Sequence, residues 1–325
     1  MSKLKSFLEK VNQYNCIAIT GIAKNTGKTS VLNRILSEET NKVRAITSIG
    51  YDGESTDQVT GTEKPGIYVK KGTLIATADA LLQYCDFTRE LLAYTGFNTP
   101  MGETIIVRAL SDGYAQIAGP STRTQMEATV KHLKSFGAEQ IFIDGALSRK
   151  STAAIVFSDA CILATGAAFS HNIDKIIDET LLFSKLLTLP KYNDFSKVNN
   201  SADALNEDEI SKAFGKLAET KVIFIKGAIT SQLINQIFNL NIDLNELTII
   251  GEDGTRFLIE PQLFADLTRR GIKLFVQNPI NLIGITVNPK APSGLILDSN
   301  EICDLLRKEL NLLVLDIKEK KASPL

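Results

Sequence analysis

Apolar positions in the first half of the chain fall in short runs separated by turn-forming residues. Leu4, Phe7, Leu8 and Val11 are spaced by three, one and three positions, which predicts a short amphipathic helix. Residues 16–20 (CIAIT) form a compact, mostly apolar run with Gly21 directly after it, as in a buried strand ending in a turn. Residues 28–38 have helical character, and residues 43–48 (VRAITS) predict a second strand. Residues 66–69 and 73–77 flank Lys70-Lys71-Gly72, and residues 103–110 and 114–118 flank Ser111-Asp112-Gly113; both arrangements predict hairpins. Residues 79–95 between them are expected to be helical. Residues 122–136 have helical periodicity that stops before Gly137, and residues 141–144 and 161–165 predict buried strands.

The pattern then changes. Residues 190–209 (PKYNDFSKVNNSADALNEDE) are polar and rich in turn formers, which places a domain boundary near them. A second alternation of strands and helices follows, with strands expected at 222–226, 247–250, 274–276, 283–287 and 312–317. The expected fold is α/β: a mostly parallel sheet flanked by helices over residues 1–190, and a second, smaller α/β domain over residues 205–325.

Composition narrows the class. A chain of 325 residues suggests two domains, and 44% hydrophobic with 22% charged residues is ordinary for a globular protein. Lys and Arg number 36 against 37 Asp and Glu, so bulk charge gives no reason to expect nucleic acid or an anionic membrane as partner. No stretch of about 18 apolar residues predicts a membrane span, and the N-terminus lacks the apolar core of a secretory signal. Cys16, Cys85, Cys161 and Cys303 are far apart and form no CxxC pair. They read as reduced, structural thiols, hence a cytoplasmic protein. With only His132 and His171, a His-rich metal site is not expected.

The most informative segment is Thr20-Gly21-Ile22-Ala23-Lys24-Asn25-Thr26-Gly27-Lys28-Thr29-Ser30. It follows a predicted strand and opens a predicted helix, the context in which successive N–H groups surround phosphate oxygens. Gly27 allows close backbone approach, Lys28 is placed to reach the β- and γ-phosphates, and the Thr29 hydroxyl suits Mg²⁺. Five residues separate Gly21 from Gly27 where the strict pattern has four, and Ile22 stands where that pattern has Gly. A Gly-rich turn with an incidental Lys-Thr is the plain alternative.

A phosphate loop that works with Mg²⁺ needs carboxylates to position the metal. Asp144 ends the apolar run Ile141-Phe142-Ile143 and precedes Gly145, the form expected of such an acid; a strand-end Asp that only caps its turn is the alternative. After it, Ser148 and Arg149 suit either phosphates or a solvated loop. Just beyond the second strand, Asp52 and Glu54, with Asp57 nearby, lie beside Gly50 and Gly53. Three acids so close to glycines suggest an active-site loop more than a plain hairpin; resemblance to the SIMIBI branch of P-loop NTPases, where an acid at this point often holds the metal or activates an attacking group, implies Asp52 as a metal ligand and Asp52 or Glu54 as the activating acid. Residues 119–124 precede a helix and read mainly as an N-cap with Ser121 or Thr122 as the cap, and a lone His171 in the loop at 165–171 reads as structural.

The phosphate-loop variant resembles those of dethiobiotin synthetases, cobyric acid synthases and the MobB proteins of molybdopterin-guanine dinucleotide synthesis, members of the SIMIBI branch of P-loop NTPases. This resemblance covers about residues 15–175. A signature Lys that some members carry falls at Ala23 here, with Lys24 displaced by one. The segments GIAKNTGKTS, TSIGYDGE, GTEKPGIYVKKGTLIATA and FIDGALSRKS together resemble the KamB subunit family of lysine 5,6-aminomutase reactivases. That resemblance implies an accessory ATPase, using ATP and Mg²⁺, that reactivates an adenosylcobalamin-dependent aminomutase together with a MutS-like ATPase. The phosphate loop and the SIMIBI resemblance together give Gly21, Lys24, Asn25, Thr26, Gly27, Lys28, Thr29 and Ser30 as the expected nucleotide cradle and Lys28, Asp52, Glu54 and Asp144 as the expected catalytic set. The expected partner is a protein, with no nucleic acid and no membrane, and a homodimer is left open. No DxHxxG cobalamin motif occurs, and no strand-end NKxD signal favours guanine, so ATP is expected over GTP. The alternative is a dethiobiotin synthetase-like ligase that activates a small molecule with ATP. The second domain has only strand-end loops, including Val287-Asn288-Pro289-Lys290, which read as connectors in a regulatory or docking domain.

Overall fold

The computed structural model describes residues 2–50, 66–145, 158–198, 201–203, 221–239, 245 and 247–317. Along the chain these form helix α1 (Lys3–Val11), strand β1 (Cys16–Gly21), helix α2 (Lys28–Leu36) and strands β2 (Arg44–Ser48), β3 (Ile67–Val69) and β4 (Leu74–Ala78). Strands β5 (Arg89–Thr99), β6 (Gly102–Ala109) and β7 (Gly113–Ala115) follow, then helix α3 (Arg123–Ser135), strands β8 (Gln140–Asp144) and β9 (Ala160–Gly166), and helix α4 (Ile173–Leu187). Next come strands β10 (Ser201–Asp203), β11 (Val222–Lys226) and β12 (Ile229–Thr230), helix α5 (Ser231–Phe238), and strands β13 (Thr248–Gly251) and β14 (Phe257–Leu258). The chain continues with helix α6 (Pro261–Arg269), strands β15 (Lys273–Val276) and β16 (Leu282–Asn288), helix α7 (Ser299–Glu309) and strand β17 (Leu313–Asp316). Among the described residues no helix is long and apolar enough to cross a membrane.

The protein is α/β, with a nine-stranded sheet in the order β17-β16-β9-β1-β8-β2-β4-β6-β5. From β17 to β4 every neighbouring pair is parallel; only the β4–β6 and β6–β5 pairs are antiparallel. Strands β1, β2, β9 and β16 are buried along their whole length, as strands covered on both faces must be. On one face Ile17, Ile19, Ile46 and Phe142 pack with Val31, Leu32 and Ile35 of α2. Apolar positions three and four apart give that helix its inner stripe.

The far end of α2 is closed from the sheet. Arg44, at the start of β2, donates from Nη1 to the carbonyls of Ile35 (2.9 Å), Leu36 (3.2 Å) and Glu38 (2.9 Å). Ile35 and Leu36 stand in the last turn, whose carbonyls lack the helix's own donors four residues on, and Glu38 lies just beyond; a cation is favoured there. The fully buried Gln140 accepts from Arg44 Nε at 3.4 Å and donates to the Val11 and Tyr14 carbonyls at the end of α1.

Three local expectations change. Residues 79–95 are not one helix: a 3-10 turn spans Asp79–Tyr84, and β5 begins at Arg89. Asp86-Phe87-Thr88 breaks the leucine periodicity, and Tyr94, Thr95 and Phe97 suit an extended chain. The two expected hairpins are also re-paired. β3 pairs with β7, β4 lies between β2 and β6, and β6 forms its hairpin with β5.

The chain divides into two compact units, Met1–Ile177 with Leu282–Leu325, and Asp178–Asn281. This differs from the expected break, after which everything was assigned to a second domain. β16 and β17 belong to the nine-stranded sheet, beside β9. The polar stretch at 190–209 lies within the second unit, and the chain returns to the first just after Asn278-Pro279-Ile280-Asn281, a turn-prone segment. The second unit holds a parallel sheet in the order β10-β11-β13-β15. Its core gathers Ile223, Ile225, Ile234, Ile237, Ile249 and Leu267.

Candidate functional site

The parallel register brings the predicted residues to one edge of the sheet. Ile19 of β1 and Ser48 of β2 both stand opposite Asp144 of β8, Gly21 stands opposite Ala164 of β9, and Asn288 of β16 stands opposite Gly166. The carboxyl ends of five strands therefore share this edge, where open parallel sheets collect ligands. Asp144 is half-buried and lies two residues beyond Phe142. Alternation along the strand puts it on the face that α2 covers.

Between β1 and α2 the backbone turns tightly. Asn25 has φ of 61° and Gly27 has φ of 97°, both left-handed. The Thr26 side chain is buried and donates to the Ala23 carbonyl at 2.9 Å, tying the loop across itself. That hydroxyl explains Gly21: a Cβ there would lie 2.3 Å from Thr26 Oγ1. Ile22 N–H donates to the Ala164 carbonyl at 3.0 Å, fixing the loop to β9.

Gly27 is the N-cap of α2 and supplies no side-chain cap to the N–H groups of the first turn. Lys28, Thr29 and Ser30 form its first turn and are half-buried, whereas Lys24 and Asn25 are exposed. The combination is an anion-receptive one: uncapped N–H groups, the positive end of a helix dipole, and lysines nearby. Thr29, in the first turn of α2, and Asp144, at the end of β8, carry hard oxygen atoms, the donor type that Mg²⁺ takes. Among the described residues no group of three or more His, Cys, Asp or Glu forms a metal cluster. Asp52, Glu54 and Asp57, and Ser148 and Arg149, lie outside the described residues.

The expected cap at residues 119–124 is Thr122, which accepts from Gln125 N–H at 3.4 Å. The preceding turn crosses the end of β2. Gly119 N–H donates to Ser48 Oγ at 3.1 Å, and Gly50 N–H donates to the Pro120 carbonyl at 3.3 Å. His171 is exposed, and its Nε2 lies 3.4 Å from the Ser293 hydroxyl.

Asn288 is the residue that sequence reasoning misplaced. Its side chain, buried beside the loop, donates through Nδ2 to the Asn25 carbonyl at 3.3 Å. Its Cβ would lie 3.0 Å from a Cβ at Gly27, and its own carbonyl accepts from Ala167 N–H at 3.0 Å. The available signal was the form of its strand: LIGITVN is a buried run ending in a polar residue, like the strand that ends in Asp144.

Compared with known proteins, the chain matches no family model and no curated protein sequence.

Proposed function

We propose that the chain is a P-loop nucleotide-binding protein that takes ATP with Mg²⁺ at the carboxyl edge of the nine-stranded sheet. It acts as an accessory ATPase that reactivates an adenosylcobalamin-dependent aminomutase, with a MutS-like ATPase as a further partner. The observation that carries the nucleotide reading is the passage from β1 to α2, where a left-handed Gly27 opens a helix without a side-chain cap and Lys28 is its first residue. Uncapped N–H groups and a cation at one point favour a polyphosphate over a neutral ligand. The aminomutase reading rests on the sequence resemblance alone.

In this reading the N–H groups of the 24–30 segment and the Lys28 ammonium hold the β- and γ-phosphates. Thr29 and Asp144 hold Mg²⁺, which supplies charge neutralisation between the phosphates when bound. Asp52 and Glu54 are assigned to metal positioning and to the attacking water. Asn288, Thr26 and Ile22 fix the loop through the bonds described above, so little ordering is left for the ligand to bring about.

Calorimetry of Mg·ATP with the parent, Lys28→Ala and Asp144→Asn tests the reading. Lys28→Ala is expected to weaken binding roughly 100-fold, because charge-assisted bonds to phosphate are lost. Asp144→Asn is expected to retain nucleotide but lose the Mg²⁺ dependence of turnover. Unchanged ATP affinity in Lys28→Ala would sink the nucleotide site. A pull-down of the aminomutase with and without ATP tests the accessory role separately.

A further inference from the structure

A cleft lies at the opposite end of β2, where residues 36–44 and the 70–73 turn before β4 meet; its volume is about 480 Å³. That is within the range of small-molecule sites, roughly 300–1,000 Å³. It is separated from the candidate loop by the length of β2, five residues or about 16 Å. The charged lining is Lys42, Arg44, Lys70 and Lys71 against Glu38 and Glu39.

Arg44 makes this more than a lysine-rich surface. The residue is 7% exposed, and its guanidinium is held in place by the three carbonyls that Nη1 serves and by Gln140 on Nε. A guanidinium has five N–H donors. Among the described residues those of Nη2 serve no protein atom, on a side chain that lines the cleft. The opposing acids are partly discounted. Glu38 is paired with Arg34 at 2.5 Å. Asp112, near the 70–73 turn, accepts from Lys71 N–H at 2.8 Å and from the Tyr68 hydroxyl at 3.2 Å. Lys42 and Lys70 each donate one bond to a carbonyl, of Asn12 and Ser37, and keep further donors, while Lys71 is exposed and its ammonium has no partner among the described residues. A cation is disfavoured, since Arg44 already occupies the helix-end carbonyls that would attract one.

We infer that this cleft binds a small oxyanion, the phosphate or carboxylate group of a metabolite, on Arg44 Nη2 with Lys71 closing over it. The inference is independent of the nucleotide reading. A buried, pre-oriented guanidinium loses little freedom on donating from Nη2 to an oxyanion.

Replacing Arg44 would also uncap α2, so the test varies the rim. The chain contains no tryptophan. A Thr40→Trp reporter on the exposed lip of the cleft therefore reads this site alone. The full chain carrying it is titrated with sodium phosphate and, separately, sodium acetate, each against sodium chloride at equal ionic strength. Saturable fluorescence change is expected with at least one of the two, and the arm that saturates identifies phosphate or carboxylate. Adding Lys71→Glu is expected to raise the half-saturating concentration roughly 5-fold. Adding Lys28→Ala is expected to leave it unchanged. A response matched by chloride, one indifferent to Lys71→Glu, or one abolished by Lys28→Ala overturns the inference.

Discussion

Asn288 Nδ2 donates to the carbonyl of Asn25 at 3.3 Å, joining positions 263 residues apart in the chain. The same side chain fills the space beside Gly27. The last buried strand of the first unit thus supports the loop that follows its first strand. Asn288→Ala is expected to lower Mg·ATP affinity roughly 5-fold, corresponding to about one net hydrogen bond of 1 kcal/mol. Calorimetry gives the affinity, and circular dichroism shows that the fold is kept. A variant that melts earlier yet binds ATP as the parent does would make Asn288 a packing residue only.

The buried acid of the second unit sets a pH dependence. Asp253 is 1% exposed and accepts from Thr255 N–H at 2.9 Å and from the Thr255 hydroxyl, with Arg256 Nε 3.7 Å away. Burial pushes its carboxyl above the usual 3.8, and the Thr255 bonds and Arg256 only partly oppose it. The folded chain then holds a proton where the unfolded chain has released it. The stability linked to that proton is present below 3.8 and is lost as pH rises through the folded value. Asp253→Asn removes the dependence, so urea midpoints should move in the variant's favour, relative to the parent, as pH rises above 3.8. A variant that loses ground over that rise contradicts the assignment.

The thiols are expected to be silent in the native protein. Burial pushes Cys16 and Cys161 up to about 12 and Cys303 up to about 11. Cys85 is raised as well, first by burial, but is only half-buried. Alkylation by iodoacetamide at about pH 8, followed by mass spectrometry, should label Cys85 first and the others only in denaturant, because the thiolate is the nucleophile. Rapid native labelling of Cys161 would show that its strand opens.

What could be read from the sequence was local and periodic. The run of residues 16–20, the Gly at its end and the helical stretch from Lys28 define β1, its loop and α2 because each depends on neighbours a few positions away. Asp144 was visible for the same reason, as a polar residue closing an apolar strand. Asn288 had an equally clear strand but no visible partner, since strand order is a long-range property and β16 lies beside β9, not beside the strands of the second unit. β5 is hidden in the sequence because two leucine pairs mimic a helical stripe across the intervening Asp86-Phe87-Thr88. The acids at 52 and 54 lie outside the described residues, and their assignment rests on sequence alone.

The insertion of residues 178–281 between β9 and β16 has a consequence for synthesis. A ribosome makes the 21–30 loop among its first products, but the side chain that supports it is encoded more than 250 codons later. Until that strand emerges, the nascent first unit has an open edge at β9. The loop therefore gains this support only near the end of translation, and a truncated chain would carry the loop without it.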